Sequence, residues 1–193
     1  MEIKIPNSTR RKALFVIDVQ PATLAQEAKN LIPFMVKMID QTEYDAYVEA
    51  NYFADELSMF FKQNNFLKNR AEAGGTAEEI RTMISNKNAP HLFVKKNTRS
   101  CFKALNAEEL QDFLKQQQIE EVHFIGYDIN DCVLASAYDA IDLGYFSYVI
   151  EELCHHWEAS KSLKEAAIAI FRRQNMSNNG NDFPVKILSI LEA

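Results

Sequence analysis

Cys132 opens a helical stretch that follows a short polar turn, residues 128–131, and an apolar run, residues 122–125. A thiol in the first turn of a helix lies where free amides and the positive end of the helix dipole favour a thiolate. A free cysteine titrates near about 8.5, and a helix N-terminus lowers that. The chemistry on offer is nucleophilic attack. The competing reading is a small buried apolar residue, a common fate of cysteine. Two more reactive residues stand at the ends of other apolar runs. Asp18 interrupts ALFVIDV, residues 13–19, near its C-terminal end. A carboxylate there is costly unless it has a partner or a task. Lys96 follows HLFVK, residues 91–95. A carboxylate base, an ammonium and a thiol are together the makings of covalent catalysis.

The elements that must position these residues alternate in type. Residues 13–19 and 122–125 read as strands buried on both faces, 146–150 as the strand after the cysteine helix, 44–52 as a weaker strand, and 91–94 as a strand leading into the two lysines. Residues 22–37 predict one helix bent or split by Pro33. Residues 55–63 predict a helix with Leu57, Phe60 and Phe61 on its apolar side, and 64–75 are polar and irregular. Thr76 to Glu79 fits a capping box opening a helix to about Ser85. Asn106 is placed to cap a helix over 108–117 with Leu110, Phe113 and Leu114 as its buried stripe. The cysteine helix should run to Leu143 and stop at Gly144; another spans 160–173, and 177–182 is a loop. Residues 185–191 fit a strand or a short helix equally well.

This alternation predicts an α/β fold in three α/β/α layers, with right-handed crossovers and a mostly parallel central sheet. Ligands bind such sheets beyond the carboxyl ends of the strands. Asp18, Lys96 and Cys132 all fall at that edge. A chain of 193 residues, 47% hydrophobic and 25% charged, suits one domain over its whole length. A net charge of -6 and a pI of about 5.3 argue against nucleic acid and anionic membrane as partners. No apolar run approaches the roughly 20 residues that span a bilayer, and MEIKIPNSTRRK has no apolar signal core. Three widely spaced cysteines give no disulfide framework or zinc knuckle, which suits a reducing cytoplasm. Cys101 and Cys154 read as packing residues. His155 and His156, being adjacent, are poorly placed to chelate together and read as surface or rim residues.

The segments ALFVIDVQ, VKKNTRSCF and GYDINDCVLASAYDAIDLGYFSYVI resemble, in order and spacing, the three signature blocks of the isochorismatase-like cysteine hydrolases, and the resemblance covers nearly the whole chain. It implies that family's Rossmann-like fold and an Asp-Lys-Cys triad. Asp18 falls on the aspartate and Cys132 on the nucleophile. Ser100 and Phe102 fix the register of the middle block, so Lys96 rather than Lys95 falls on the lysine. The resemblance also implies a cis peptide joining Tyr127 to Asp128, which helps aim the amides of Asp128 and Cys132 at an oxyanion. A homo-oligomer, dimer or tetramer, is implied as well.

The departures bear on substrate. Ile129 stands where the family often has threonine, Cys101 replaces an alanine and Arg99 an aromatic residue. Arg99 is either a solvated residue on the outer face of its loop or, turned inward, a planar fork matched to a substrate carboxylate. Phe102, Tyr127 and Trp157 are pocket walls or simply core. The Asp-x-His metal motif that nicotinamidases carry on or after the second strand is missing, since no histidine lies between Tyr44 and Pro90. Neither a metal nor another cofactor is therefore expected, and nicotinamide becomes an unfavoured substrate. The reading reached is hydrolysis of a C–N bond in a small amide through a Cys132 thioester, with Asp18 as base and Lys96 as electrostatic partner. Its rivals are a binding or regulatory protein without turnover and an isochorismatase-type vinyl-ether hydrolase.

Overall fold

The structure is a computed structural model and describes residues 1–70, 74–180 and 183–190. In chain order the elements are β1 (Glu2–Pro6), β2 (Lys12–Ile17), α1 (Gln26–Lys29), α2 (Ile32–Gln41), β3 (Ala46–Tyr52) and α3 (Met59–Gln63). Next come α4 (Glu78–Ser85), β4 (His91–Lys96), α5 (Ala107–Gln116), β5 (Glu121–Gly126), α6 (Cys132–Asp142), β6 (Phe146–Cys154), α7 (Lys161–Arg173) and β7 (Val185–Ser189). Five strands form one parallel sheet in the order β4-β3-β2-β5-β6. β1 and β7 pair antiparallel in a sheet of their own.

Strand periodicity sorts the side chains between two cores. Ala13, Phe15 and Ile17 of β2 pack with α5, α6 and α7, whereas Leu14 and Val16 pack with α1, α2 and α4. This is the three-layer α/β/α arrangement, with helices on both faces. All seven residues of β3 are buried, as are all six of β5. Phe15 packs its ring against Phe102 and Phe124, and deleting such a buried ring costs ~3–5 kcal/mol. At the carboxyl edge β5 comes against β2 so closely that a Cβ on Gly126 would lie 2.0 Å from the Ile17 carbonyl oxygen. Gly126 also has φ +120, so only glycine fits. That close approach draws the turn before Cys132 onto the end of β2, where Asp18 sits.

Several elements differ from the sequence reading. Residues 22–37 are not one helix: a 3-10 turn (Pro21–Thr23), the short α1 and then α2 follow one another. Pro33 lies in the first turn of α2, where its missing N–H costs nothing. α3 begins only at Met59 because Ser58 caps it by accepting from the Phe61 amide, and Leu57 is 82% exposed. Thr76 builds no capping box: its hydroxyl is engaged with buried Asn51, and Ala77 is the N-cap of α4. Asn106 sits at the N-cap of α5 but bonds the backbone of Lys95 and Phe93, pinning helix to strand instead. β4 extends through Lys96 and β6 through Cys154. Within 64–75, a 3-10 helix spans Asn65–Arg70, and residues 71–73 lie outside the described ones. Residues 181–182 of the expected loop and Leu191 do too, but 185–189 resolve as a strand, not a helix. β1 was not anticipated, since EIKIP gives only two apolar alternations; it exists because β7 pairs with it.

At the opposite end of the sheet lies a buried polar relay. The Tyr44 hydroxyl meets His123 Nδ1 at 3.0 Å, and His123 Nε2 meets Glu121 Oε1 at 2.8 Å. Burial holds the imidazole below its ordinary pKa although Glu121 pulls the other way. Burial alone would raise the Glu121 carboxyl, but the bond from His123 leaves it lowered. Between its folded pKa and the unfolded value near about 6.5, His123 binds a proton only in the unfolded chain, so stability falls with falling pH there. Glu121 adds its own loss only below about 4.5. The melting temperature is therefore expected to drop between about pH 7 and about pH 5, and less steeply in His123→Gln, whose amide can keep both bonds. Parallel profiles for the two proteins would show that the relay does not control acid stability.

Candidate active site

The three reactive residues converge at the carboxyl edge of the sheet. Asp18 follows β2 with φ +50, an uncommon backbone conformation for a non-glycine residue. Its amide donates to the Ala50 carbonyl at 2.8 Å, fixing the turn to β3. Both carboxylate oxygens are engaged: Oδ1 accepts from the Tyr52 amide at 2.6 Å and Oδ2 from Lys96 Nζ at 2.6 Å. The acid is 4% exposed and the lysine fully buried.

Lys96 ends β4, and the loop behind it is clipped to the cysteine helix. The Ser100 hydroxyl accepts from the Phe102 amide, and the Cys101 amide donates to the Ser136 hydroxyl at 3.1 Å. Ser136 lies one helical turn after Cys132 on α6, so this bond holds the lysine loop against the face that carries the thiol. Asn97 donates to Asp55 at 2.7 Å and ties the same loop to the segment after β3.

The peptide between Tyr127 and Asp128 is cis. The Asp128 carbonyl accepts from the amides of Asp131 and Val133, and the Ile129 amide donates to the His155 carbonyl. Those amides are spent on the turn. Cys132 is the first residue of α6, so its own amide has no partner within the helical ladder. The Asp128 carboxylate accepts from the Trp157 amide at 2.8 Å.

Electrostatics divide the three groups. Burial by itself would lower the Lys96 ammonium, but Asp18 and Cys132 outweigh it and the pKa rises. Burial drives the Cys132 thiol well above its ordinary value. Lys96 opposes that shift, while Asp18, Asp131 and Asp128 add to it. The expectation that the helix terminus favours a resting thiolate is thus corrected: desolvation outweighs it, because Cys132 is only 3% exposed. Cys101 and Cys154 are buried, and burial pushes each thiol up to about 12.

The expected pocket residues are placed less centrally. Phe102 is 3% exposed, and its ring packs between Phe15 and Tyr145 in the core. Tyr127 is buried, with its hydroxyl donating to the Ala28 carbonyl. Arg99 donates from Nε to Asp131 at 2.5 Å and lies over the Phe60 ring at 4.4 Å. Its side chain is 45% exposed, so the inward-turned fork that would read a substrate carboxylate is not what this structure holds. A cavity of about 290 Å³ opens beside the cysteine turn, lined by Phe66, Asp128, Asn130, Asp131, His156, Trp157, Glu158 and Leu163; Asp18, Lys96 and Cys132 lie behind this lining rather than in it. His156 and Trp157 thus stand at a pocket rim. Phe66, in an irregular stretch, and the Tyr52 amide, a backbone group, carry no signal of their place in the residue pattern. Ser136 was legible in principle, four residues after Cys132.

The residues after β3 do not fit a nicotinamidase-type metal. Tyr52, Phe60 and Leu67 form an apolar cluster there with Ala54, Phe61 and Phe66. Among the described residues no group of three or more His, Cys, Asp and Glu side chains is arranged to hold an ion.

Comparison with known proteins bears on this arrangement. Residues 12–177 match the Isochorismatase domain family. No curated protein matches the chain in sequence. Among solved structures, an isochorismatase-like hydrolase from Alkaliphilus metalliredigens is 17% identical over 86% of this chain and 92% of its own, with a TM-score of 0.68. The nicotinamidase of Bacillus subtilis is 19% identical over 89% of this chain and 100% of its own, TM-score 0.68. That of Staphylococcus aureus is 21% identical over 86% and 96%, TM-score 0.61. At these identities the likeness is one of fold.

The opposed influences on the thiol give a test with a sign. Alkylation of Cys132 by iodoacetamide, followed by peptide mass, is expected to be slow at neutral pH and to climb in alkali. At one fixed pH, Asp18→Asn should label faster than wild type and Lys96→Met slower. The reverse order would show that these residues do not set the thiol's ionisation.

Proposed function

The chain belongs to the isochorismatase domain family, and from that premise we propose that it is a hydrolase of the C–N bond of a small amide, acting through Cys132. The observation that carries this reading is the buried Asp18–Lys96 ion pair at one sheet edge, with the Cys132 thiol electrostatically coupled to both members. A carboxylate beside an un-ionised thiol is a base beside its proton. When substrate displaces water, Asp18 takes the thiol proton as sulfur attacks the carbonyl carbon. Lys96 stays charged throughout, so the negative charge that leaves Asp18 reappears on sulfur and the oxyanion beside the same cation. The Cys132 amide at the helix start, with that of Asp128, is the proposed oxyanion donor pair. Protonated Asp18 then hands its proton to the departing amine, leaving a thioester. Water, deprotonated by Asp18, attacks the thioester and releases the acid as the C–S bond breaks, and the Asp18 proton returns to the departing sulfur.

Three features narrow the substrate. The cavity of about 290 Å³ suits a small molecule. Asp128 and Asp131 line it, and Arg99 is matched by Asp131, so neutral amides fit the mouth better than acidic ones. The apolar cluster after β3 removes the donors a nicotinamidase-type ion would need.

A panel of small amides with ammonia release as readout tests the class of reaction. On the substrate so found, Cys132→Ala should lose turnover by at least about 10³-fold while melting near wild type. Activity within a few-fold of wild type in that variant would sink the mechanism. Prolonged dialysis against EDTA should leave the wild-type rate unchanged. Loss that zinc or manganese restores would show that an ion takes part after all.

A further inference from the structure

A second polar cavity lies on the other face of the sheet. Alternation along β3 turns Glu49 and Asn51 away from the face of Ala50, and the register sets Glu49 opposite Phe93 of β4. A cavity of about 230 Å³ is lined there by Glu49, Asn51, Thr76, Arg81, His91 and Phe93, with Gly75. Glu49 is 2% exposed. Its Oε1 is met by His91 Nε2 at 2.9 Å, but Oε2 is buried without a hydrogen-bond partner. An unmet buried carboxylate oxygen is costly unless something donates to it, so the site calls for a donor. At the other side Arg81 reaches over Gly75, where an added Cβ would lie 3.9 Å from Nη1. Its only ion-pair contact among the described residues is a loose one to Glu78 at 3.9 Å. One wall thus demands a cationic donor, another offers an anion-binding fork, and Phe93, 49% exposed, supplies an apolar side.

We propose that this cavity binds a small zwitterion of the α-amino-acid class. The ligand's ammonium sits on Glu49 Oε2, its carboxylate on Arg81 and its side chain along Phe93. The volume lies below the roughly 300–1,000 Å³ of pockets for drug-sized ligands, which fits a molecule of this size. A metal ion is the poorer occupant. Glu49 and His91 are only two ligands of the usual types, and a guanidinium repels a cation. The site also abuts the catalytic edge through the chain. Asn51 precedes Tyr52, whose amide holds Asp18, and Thr76 bonds Asn51.

The test is titration of the full-length protein with L-alanine, methylamine and acetate, read by calorimetry and by thermal shift. L-alanine should bind in the millimolar range or tighter, methylamine more weakly and acetate not at all. Glu49→Gln, close in shape and checked by its melting curve, should weaken L-alanine by about tenfold or more; Arg81→Ala, at an exposed position, should weaken L-alanine but leave methylamine unchanged. No binding of L-alanine or of any other proteinogenic amino acid by wild type would overturn the proposal. So would equal binding in wild type and Glu49→Gln, even if that variant changed the oligomeric state. Zinc or calcium binding that Glu49→Gln abolishes, with no amino-acid binding, would also overturn it. None of these outcomes depends on the amidase reading.

Discussion

The ion pair of Asp18 and Lys96 is the constraint on which the site depends. Two opposite charges almost fully withdrawn from water are held 2.6 Å apart. Breaking such a pair by removing one member typically costs ~3–5 kcal/mol, because the other is left charged and buried. The surrounding structure supplies what the pair lacks. The Tyr52 amide takes the second oxygen of Asp18, and the Thr98 carbonyl lies 3.4 Å from Lys96. Three strands contribute, which is why the pair exists only when β2, β3 and β4 lie in register. The thiol is the third charge site of the same cluster. Burial and the neighbouring carboxylates push its pKa well above the ordinary value, and Lys96 only partly offsets them.

Much of this was readable from the chain because it rests on patterns of period two and on strand ends. Continuous apolar runs announced β2 and β5, and the residues at their ends gave Asp18 and the turn before Cys132. Of the two adjacent lysines, Lys96 is buried against Asp18, and Lys95 is exposed with its ammonium over the Phe53 ring. What escaped depends on tertiary context. Thr76 and Asn106 looked like caps, but each found a better partner across the fold, Asn51 for one and the β4 backbone for the other. β1 is too short to announce itself without β7. The thiol's raised pKa has a related origin. A helix terminus is visible in sequence, but the depth at which it is buried is not.

The two faces of the sheet carry different chemistry from the same strands. On one, Tyr52 and Phe60 make the wall after β3 apolar and Arg99 lies over Phe60, joined to the cysteine turn through Asp131. On the other, Glu49 and Asn51 make it polar. Alternation along a single strand, β3, separates them. The proposed amide chemistry uses the first face only, and it needs nothing from residues beyond the cluster except backbone amides and a pocket that admits the hydrolytic water.

A trapped intermediate addresses the central claim most directly, because a thioester on Cys132 requires the base, the nucleophile and the oxyanion donors to act together. Mixing the protein with p-nitrophenyl acetate and quenching within the first turnover permits peptide mass analysis. The account predicts a burst of p-nitrophenolate equal to the enzyme present and one acetyl group, carried by the peptide containing Cys132. It also predicts no burst in Cys132→Ala. Acetylation elsewhere with Cys132 unmodified, or an undiminished burst in Cys132→Ala, would contradict it.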